Sequence, residues 1–539
     1  MNKKFKGASI AVAVVLAAAT LASCGQKQIK TGHSDINLDS YPIDTDVELT
    51  YWVALDTNIT ASCSNMNETP LAQEMEKRTG VKVKYIHPAM GQESEAFSLM
   101  VASDEMSDIV EYNWATALGG PSVAINDKII ISLSEYMEKY APNLTGVLKA
   151  DEELDKLVKT DEGDYYVFPF VRGYKEYPSK VSGIGGSCSN GLVIRRDWLD
   201  ELGLSEPETP QELEAVLKAF KEKKGVEAPI TALKFETYKL LSLFSATNSF
   251  YLDGDTVKYG VFDEQYKNGV VELARWFKEG LLDKNYISAD QTMLDSNMLN
   301  GYSGAAFASA GSGIGKWLDT MKSKDAAYDL VALKYMAAQK GEKPRFVLSS
   351  SAFSGYGSAA VTTKCAYPEL AVKYLDYGYS EEGHMLYNFG IEGESYEIAD
   401  GTLKYTDLIH NNPDGLTSTQ AMSRYMRSYN WGPFLQDCVY SKEYYQKEQQ
   451  KDAVEKWTYG IEEANKRKLP VLLYSAEESE EYSQIMTEVE KCRDEITASI
   501  ISGIETIEKY DEMTQKIKAL NIDRAIEINQ SAYNRYVNR

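Results

Sequence analysis

Residue types that carry covalent chemistry are few in this chain and poorly spaced for it. The four histidines (His33, His87, His384 and His410) are too scattered to suggest a paired metal site. No Gly-x-Ser-x-Gly elbow presents a serine nucleophile, and no His-Glu-x-x-His pair offers itself to zinc. Gly315-Lys316 is followed by Trp317, where a phosphate loop needs Ser or Thr. No strand of the right length leads into a Gly-x-Gly-x-x-Gly turn. Asp253-Gly254-Asp255 lacks the rest of a calcium-loop pattern and reads as a hairpin turn. A glycosidase-type carboxylate pair stays open, because 80 acidic residues make spacing uninformative. No cofactor and no metal is expected. Binding chemistry is better supplied. The 37 Tyr, against 15 Phe and 7 Trp, offer an apolar face with a hydroxyl, which suits polar ligands as well as a core.

The elements that position such residues can be read from length and periodicity. A chain of 539 residues is too long for one compact core, so two or more lobes are expected. At 43% hydrophobic it can build large cores. Its 57 Lys+Arg against 80 Asp+Glu, formally −23, argue against nucleic acid or anionic lipid as partners. Residues 47–53 and 81–86 alternate as strands, 70–78 read as a helix closed by Gly80, 94–102 as another helix, and 108–112 as a third strand. Strand–helix alternation of this kind is the α/β signature, with a mainly parallel sheet. A second unit opens near Gly191. Thr209-Pro210-Gln211-Glu212 starts a helix with a capping box, and Leu213, Val216, Leu217 and Phe220 form its buried stripe. The Gly-, Ala- and Ser-rich stretch 301–315 lets backbone pass close to another lobe or a ligand. From Glu481 to Ile507 apolar residues recur every three or four positions, which predicts a docked amphipathic helix.

The N-terminus supplies an address. Lys3, Lys4 and Lys6 precede an apolar run over 8–21 that is too short to span a bilayer comfortably and matches a signal-peptide core. It ends in Leu21-Ala22-Ser23-Cys24-Gly25, which resembles the lipobox of bacterial lipoproteins. That resemblance implies cleavage before Cys24 and a diacylglyceryl group on its thiol. Residues 1–23 then form the signal peptide and 24–46 a flexible tether. No later long uncharged apolar run exists, so the Cys24 lipid is the expected membrane attachment, on the extracellular face. The odd set Cys63, Cys188, Cys365, Cys438 and Cys492 cannot all pair within one chain. Cys63 and Cys188 share the tetrapeptide Ser-Cys-Ser-Asn, as a long-range disulfide or by coincidence, with coincidence favoured; the others read as buried thiols.

Several segments together resemble the extracellular solute-binding proteins of ABC transporters, family 1, the oligosaccharide-binding type related to maltose-binding protein. The long Gram-positive lipoprotein subgroup is nearest. The segments are Gly80-Val81-Lys82-Val83, residues 161–169 (Asp-Glu-Gly-Asp-Tyr-Tyr-Val-Phe-Pro), 191–202 (Gly-Leu-Val-Ile-Arg-Arg-Asp-Trp-Leu-Asp-Glu-Leu) with Pro207-Glu208-Thr209-Pro210, and Tyr367-Pro368-Glu369-Leu370-Ala371-Val372. Within the subgroup, residues 381–393 and Glu477-Glu478-Ser479 also fit. The likeness spans essentially the whole mature chain, which departs from short members in its long C-terminal extension. It implies a two-lobed α/β fold of the periplasmic-binding-protein kind, class II type, with a ligand cleft between lobes joined by hinge crossings and a helical C-terminal extension. The crossings are then expected at 166–169, near 304–310 and near 361–366. Lobe I comprises 47–167 with 304–362, and lobe II comprises 168–303 with 363–539. The implied partners are a small molecule or oligosaccharide and ABC permease subunits, with the protein a monomer.

Ligands in open α/β sheets bind beyond the carboxyl ends of the strands. That rule picks Trp52 and Asp56 after the first strand and Asn113 and Trp114 after the third. Arg172 and Tyr174 follow the first crossing, Ser309 and Ser312 lie in the small-residue stretch, and Tyr356 sits in Ser354-Gly-Tyr-Gly. Arg424, Tyr429 and Trp431 belong to a Trp-Gly-Pro loop. Trp198, Trp276 and Trp317 fall on helical patterns and read as core. The leading expectation is a lipid-anchored carbohydrate-binding subunit of an importer. Its rivals are the same fold binding a peptide or an anionic sugar, an anchored glycoside hydrolase, and a surface sensor partner.

Overall fold

The computed structural model describes residues 36–174, 188–437 and 439–539. The predicted signal peptide, the lipobox with Cys24, the first part of the tether and Cys438 lie outside the described residues. Two four-stranded sheets organise the rest. Their strands are β1 (Glu48–Trp52), β2 (Lys82–Ile86), β3 (Ile109–Glu111), β4 (Asn190–Arg195), β5 (Ile230–Thr231), β6 (Ala305–Ser309), β7 (Leu330–Ala332) and β8 (Ala359–Val361). The first sheet has the order β8-β3-β1-β2, with β1 parallel to β2 and β3, and β8 antiparallel to β3. The second has the order β7-β4-β6-β5, with β5 and β6 parallel and β4 antiparallel to both β6 and β7. The two-lobed α/β expectation holds.

Local chemistry accounts for the elements. Helix α1 (Pro70–Thr79) starts where Thr69 accepts a hydrogen bond from the Ala72 N–H and proline takes the first turn. It stops at Gly80, whose φ of +74° is left-handed and whose missing side chain leaves room for the Ile43 carbonyl. Helix α2 (Pro210–Ala219) opens on Thr209, whose hydroxyl accepts from the Glu212 N–H at 3.3 Å. The predicted box closes one residue early, because the Glu212 carboxylate takes the N–H of Glu208. Asp253-Gly254-Asp255 does turn a hairpin, between Phe250–Asp253 and Thr256–Tyr259. Edge strand β2 carries exposed Lys82 and Lys84 and buries only Tyr85, the usual guarding of a sheet edge.

The chain divides between the lobes differently from the expected boundaries. Residues 304–362 do not stay together: β6 and β7 join the second sheet, and only β8 enters the first. Residues after 363, expected in lobe II, return to the first core through Leu370, Tyr374, Leu386 and Phe434. Tyr166 and Phe168 are also buried in that core, so the first crossing begins after them. The stretch 304–310 is therefore a strand and no crossing. An Ala/Ser strand shows its period in sequence but not its partner. Small residues serve packing here: a side chain on Gly304 would fall 2.5 Å from the Phe220 ring. Residues around 348–352, 435–445 and 464–473 pass between the cores.

The C-terminal periodicity resolves into three helices, α3 (Ala476–Ile501), α4 (Glu508–Ala519) and α5 (Ile522–Val537). Met486, Val489, Cys492 and Ile500 dock into the second core as expected. Gly503 (φ +72°) ends the first helix, leaving Ile504 exposed although it continues the sequence pattern. Cys63 and Cys188 are free thiols in different cores, so their shared tetrapeptide is coincidence. Cys492 is likewise a buried free thiol, and Cys365 a half-buried one. Among the described residues no helix is long and apolar enough to cross a membrane, and no His/Cys/Asp/Glu cluster could hold a metal.

Candidate functional site

The carboxyl ends of β1 and β3 deliver two loops to one edge of the first sheet, and loops 354–358 and 427–434 meet them there. Its base is a buried ion pair. Glu111, the last residue of β3, takes Arg427 in two hydrogen bonds (2.8 and 3.0 Å) and a third from the Tyr51 hydroxyl at 2.9 Å. Arg427 also donates to the Trp431 carbonyl at 2.5 Å, which fixes the loop that carries Trp431. Nothing in the sequence spacing pairs positions 316 residues apart, and the Arg427 charge is spent on Glu111.

On this base stands a stacked aromatic pair. Tyr356 (55% exposed) and Trp431 (43%) lie with ring centroids 5.8 Å apart and planes 28° from parallel. Gly355 and Gly357 flank Tyr356 with φ of +82° and +72°. A side chain on Gly355 would reach 2.2 Å from Asn113 Oδ1, and one on Gly357 would strike Trp431 Cβ at 2.6 Å. Glycine is thus required at both, by handedness and by contact. Asn113 Oδ1, buried beside Gly355, has no hydrogen-bond partner among the described residues. Tyr429 is half-buried beside it. Burial pushes its phenol up, Arg427 opposes, and the nearby Asp56 carboxylate adds to the rise. Asp56 is held by the N–H and side-chain amide of Asn58, both at 2.8 Å. The structure therefore brings Asp56, Asn113, Tyr356, Tyr429 and Trp431 into one neighbourhood.

Two predicted members are core instead. Trp114 is fully buried, its indole N–H donating to the Val110 carbonyl at 2.9 Å and its ring set edge-on to Phe97. A tight turn, with the Trp114 N–H on the Tyr112 carbonyl, tucks it back beneath its own strand. Trp52 is also buried, against Phe97 and Tyr112. Arg424 makes its ion pair with Asp414 at 3.7 Å and engages none of the other candidates. Tyr174 ends the short strand Val171–Tyr174, and its side chain lies outside the described residues. Arg172 precedes it, half-buried, with its guanidinium 5.6 Å from the Phe170 ring and no carboxylate partner among the described residues.

The second sheet presents a matching edge. The carboxyl ends of β5 and β6 lie there together with the amino end of β4, since Asn190 is in register with Ser309. The Ser309 and Ser312 hydroxyls bond each other at 2.6 Å. Phe235 (73% exposed) and Tyr238 (38%) follow β5, and sequence reasoning missed them. The rule applied to β1 and β3 would have found them, had the two-residue strand β5 been recognised. Beside this edge a cavity of about 570 Å³ opens between Asn190, Tyr238, Phe250 and the passing segments 346–350 and 464–469.

Two α/β lobes, each offering loops at the carboxyl edge of its sheet, are the frame of a binding protein, and comparison with known proteins agrees. Residues 67–385 match the model of the bacterial extracellular solute-binding proteins. The chain belongs to that family. These are binding proteins and not enzymes, which removes the glycoside hydrolase. The fructooligosaccharide ABC transporter substrate-binding protein FusA of Streptococcus pneumoniae serotype 4 is 27% identical over 307 residues, covering 53% of this chain and 55% of FusA. The chain thus spans about half the length of that relative. Lipoprotein LipO of Bacillus subtilis is 24% identical over 386 residues, 68% of this chain and 71% of LipO. Among solved structures, an HMO-binding, ABC-transporter-associated solute-binding protein from Bifidobacterium longum infantis superposes with a TM-score of 0.73 at 18% identity, covering 92% of this chain and 99% of that one.

Proposed function

We propose that this family member is the substrate-binding subunit of an ABC importer, that it takes a carbohydrate between the carboxyl edges of its two sheets, and that it hands the sugar to permease subunits. The observation that carries the sugar reading is the exposed Tyr356–Trp431 stack over the orphaned Asn113 carbonyl. A pyranose has an apolar C–H face and a hydroxyl rim. Setting one face on an aromatic ring hides roughly 60 Å², on the order of 1.5 kcal/mol, and a hydroxyl donated to Asn113 adds about 1 kcal/mol. The names of FusA and the Bifidobacterium protein, both carbohydrate binders, support the same class. Closure of the lobes on the sugar would then mark the loaded form for the permease. The lobes fall as residues 36–171 with 352–435 around the first sheet, and 188–348 with 445–525 around the second.

We further infer a lipid anchor at Cys24, on the strength of the Leu-Ala-Ser-Cys sequence and the likeness to LipO. Replacing Cys24 by Ser should release the protein from the membrane fraction; retention of the variant would remove the anchor. For the ligand, the mature chain with Cys24→Ser is screened by thermal shift against oligosaccharides, peptides and sugar acids. A ligand at 100 times its dissociation constant adds about 2.7 kcal/mol of stability, a clear shift. A shift with a glycan recovered uncut is the expected result. A shift with peptides alone would overturn the sugar reading.

A further inference from the structure

The cavity of about 570 Å³ beside the second sheet carries a charge pattern at odds with the rest of the molecule. The chain is strongly acidic, yet among the described residues the wall holds Lys239, Arg467 and Lys468 and not one carboxylate. Two of these cations are answered from just outside, Lys239 by Glu236 and Arg467 by Glu463 at 3.4 Å. Lys468 is not. Its ammonium donates to the Ser349 carbonyl at 2.6 Å and the Ser349 hydroxyl at 3.3 Å, and it meets no carboxylate among the described residues. Arg172, for which the described residues likewise supply no carboxylate, lies within electrostatic reach of it. Asn190 lines the same cavity, and its Oδ1 is buried without a donor. Tyr238 brings an aromatic ring to the lining of the same space. The wall therefore lacks one anion, one hydroxyl donor and an apolar face to stack.

A sugar acid supplies all three. We propose that this cavity is a subsite for a carboxylated sugar residue, with Lys468, backed by Arg172, holding the carboxylate and Asn190 Oδ1 accepting a ring hydroxyl. The assignment rests on the carbohydrate reading above and narrows it to anionic glycans. The cavity volume fits small-molecule sites generally. Burial holds the Lys468 ammonium down to about 8; Cys188 opposes that shift and Arg172 adds to it. Lys239, Arg467, Tyr238 and Tyr251 face the cavity from its other walls, and Asp151, Glu153 and Tyr536 line a smaller neighbouring pocket that Lys468 also borders. A bound carboxylate favours the charged amine, so affinity for the acid should fall as pH rises through about 8.

The test compares acid trisaccharides (galacturonate, glucuronate and mannuronate series) with their neutral methyl esters, by calorimetry on the mature Cys24→Ser chain. One acid should bind at least about 10-fold tighter than its ester, the worth of a charge-assisted hydrogen bond. Its affinity should weaken between about pH 7 and pH 9 while any ester binding stays flat. Lys468→Met should erase the acid's advantage over its ester, and an acid that keeps that advantage in the variant would overturn the assignment. The ester comparison needs no variant, so a misfolded Lys468→Met would not rescue the idea. Equal binding of acid and ester, or of a neutral oligosaccharide in preference to any acid, would overturn this subsite and leave the carbohydrate reading intact. Inorganic sulfate producing the full shift of the acid trimer would reduce the cavity to a plain anion site and overturn it too. Binding of peptides and no glycan of either kind would sink both readings.

Discussion

The two sheet edges proposed to face the ligand are built on opposite electrostatic plans. At the first sheet the cation near the aromatic pair is already matched, Arg427 being clamped to Glu111, and the remaining charge is an acid, Asp56, hydrogen-bonded by Asn58. What that edge offers is shape, a fixed ring stack on two glycine turns. At the second sheet the stack is absent among the described residues, and the wall keeps Lys468 without a counter-charge. One edge can recognise the body of a sugar; the other can recognise a substituent on it. Buried ion pairs add little net stability over an apolar replacement, but removing one partner is costly. Glu111–Arg427 therefore reads as a device that positions the Trp431 loop, and Lys468 as a charge left open for a ligand.

The largest expected effect tests that division directly. Arg427→Met leaves Glu111 buried and unpaired and should cost about 3–5 kcal/mol of stability by denaturant unfolding. Glu111→Gln with Arg427→Met should recover a substantial part of it, since neither charge is then stranded. A single variant as stable as the parent would mean the pair props nothing. Next comes Gly355→Ala. It forces a left-handed φ on alanine and drives Cβ onto Asn113 Oδ1, for a loss of about 1–3 kcal/mol with weakened ligand binding. Gly355→Ala that binds sugar normally would detach Tyr356 from the site. Trp431→Ala should be gentler on folding, within about 0.5 kcal/mol, yet weaken ligand about 10-fold through lost stacking. Acid sugars and their esters should suffer alike, whereas Lys468→Met separates them; a Trp431→Ala effect confined to the acid would merge the two edges into one.

Much of the fold was legible in the sequence because its signals are local. Thr69-Pro70 and Gly80 bound a helix by capping and handedness, and the alternation around Val83 marks a strand, without reference to the rest of the chain. What was not legible is long-range. Nothing within Ala305–Ser309 says that it pairs with Asn190–Arg195 and not with the first sheet, so the lobe boundaries slipped by that strand and by the segment from 363 to 435, whereas the residues from 445 to 525 lie with the second core. The site divides in the same way. Tyr356 and Trp431 announce themselves by glycine neighbours and large rings in polar loops. Trp114 carries the same chemistry at the same kind of position, but a two-residue turn sends it inward. Glu111–Arg427 and Lys468–Arg172 depend on segments brought together only by folding.

The smallest expected effect bears on where the second edge touches the sugar. Ser312 is exposed, and among the described residues its hydroxyl bonds only that of Ser309, so Ser312→Ala should change stability by less than about 0.5 kcal/mol. If the β6 end contacts ligand, one hydroxyl orients the other, and the two act as a unit. Ser312→Ala and Ser309→Ala should then each lower affinity a few-fold, by about 0.5–1 kcal/mol, with the double variant losing little more than either. Additive losses would make them independent contacts. No loss from either, measured on the same sugar that Trp431→Ala weakens, would move the whole contact of the second lobe away from β6 and onto the cavity walled by Asn190 and Lys468. The contrast would then stand between one stack and one charge, with nothing shared between them.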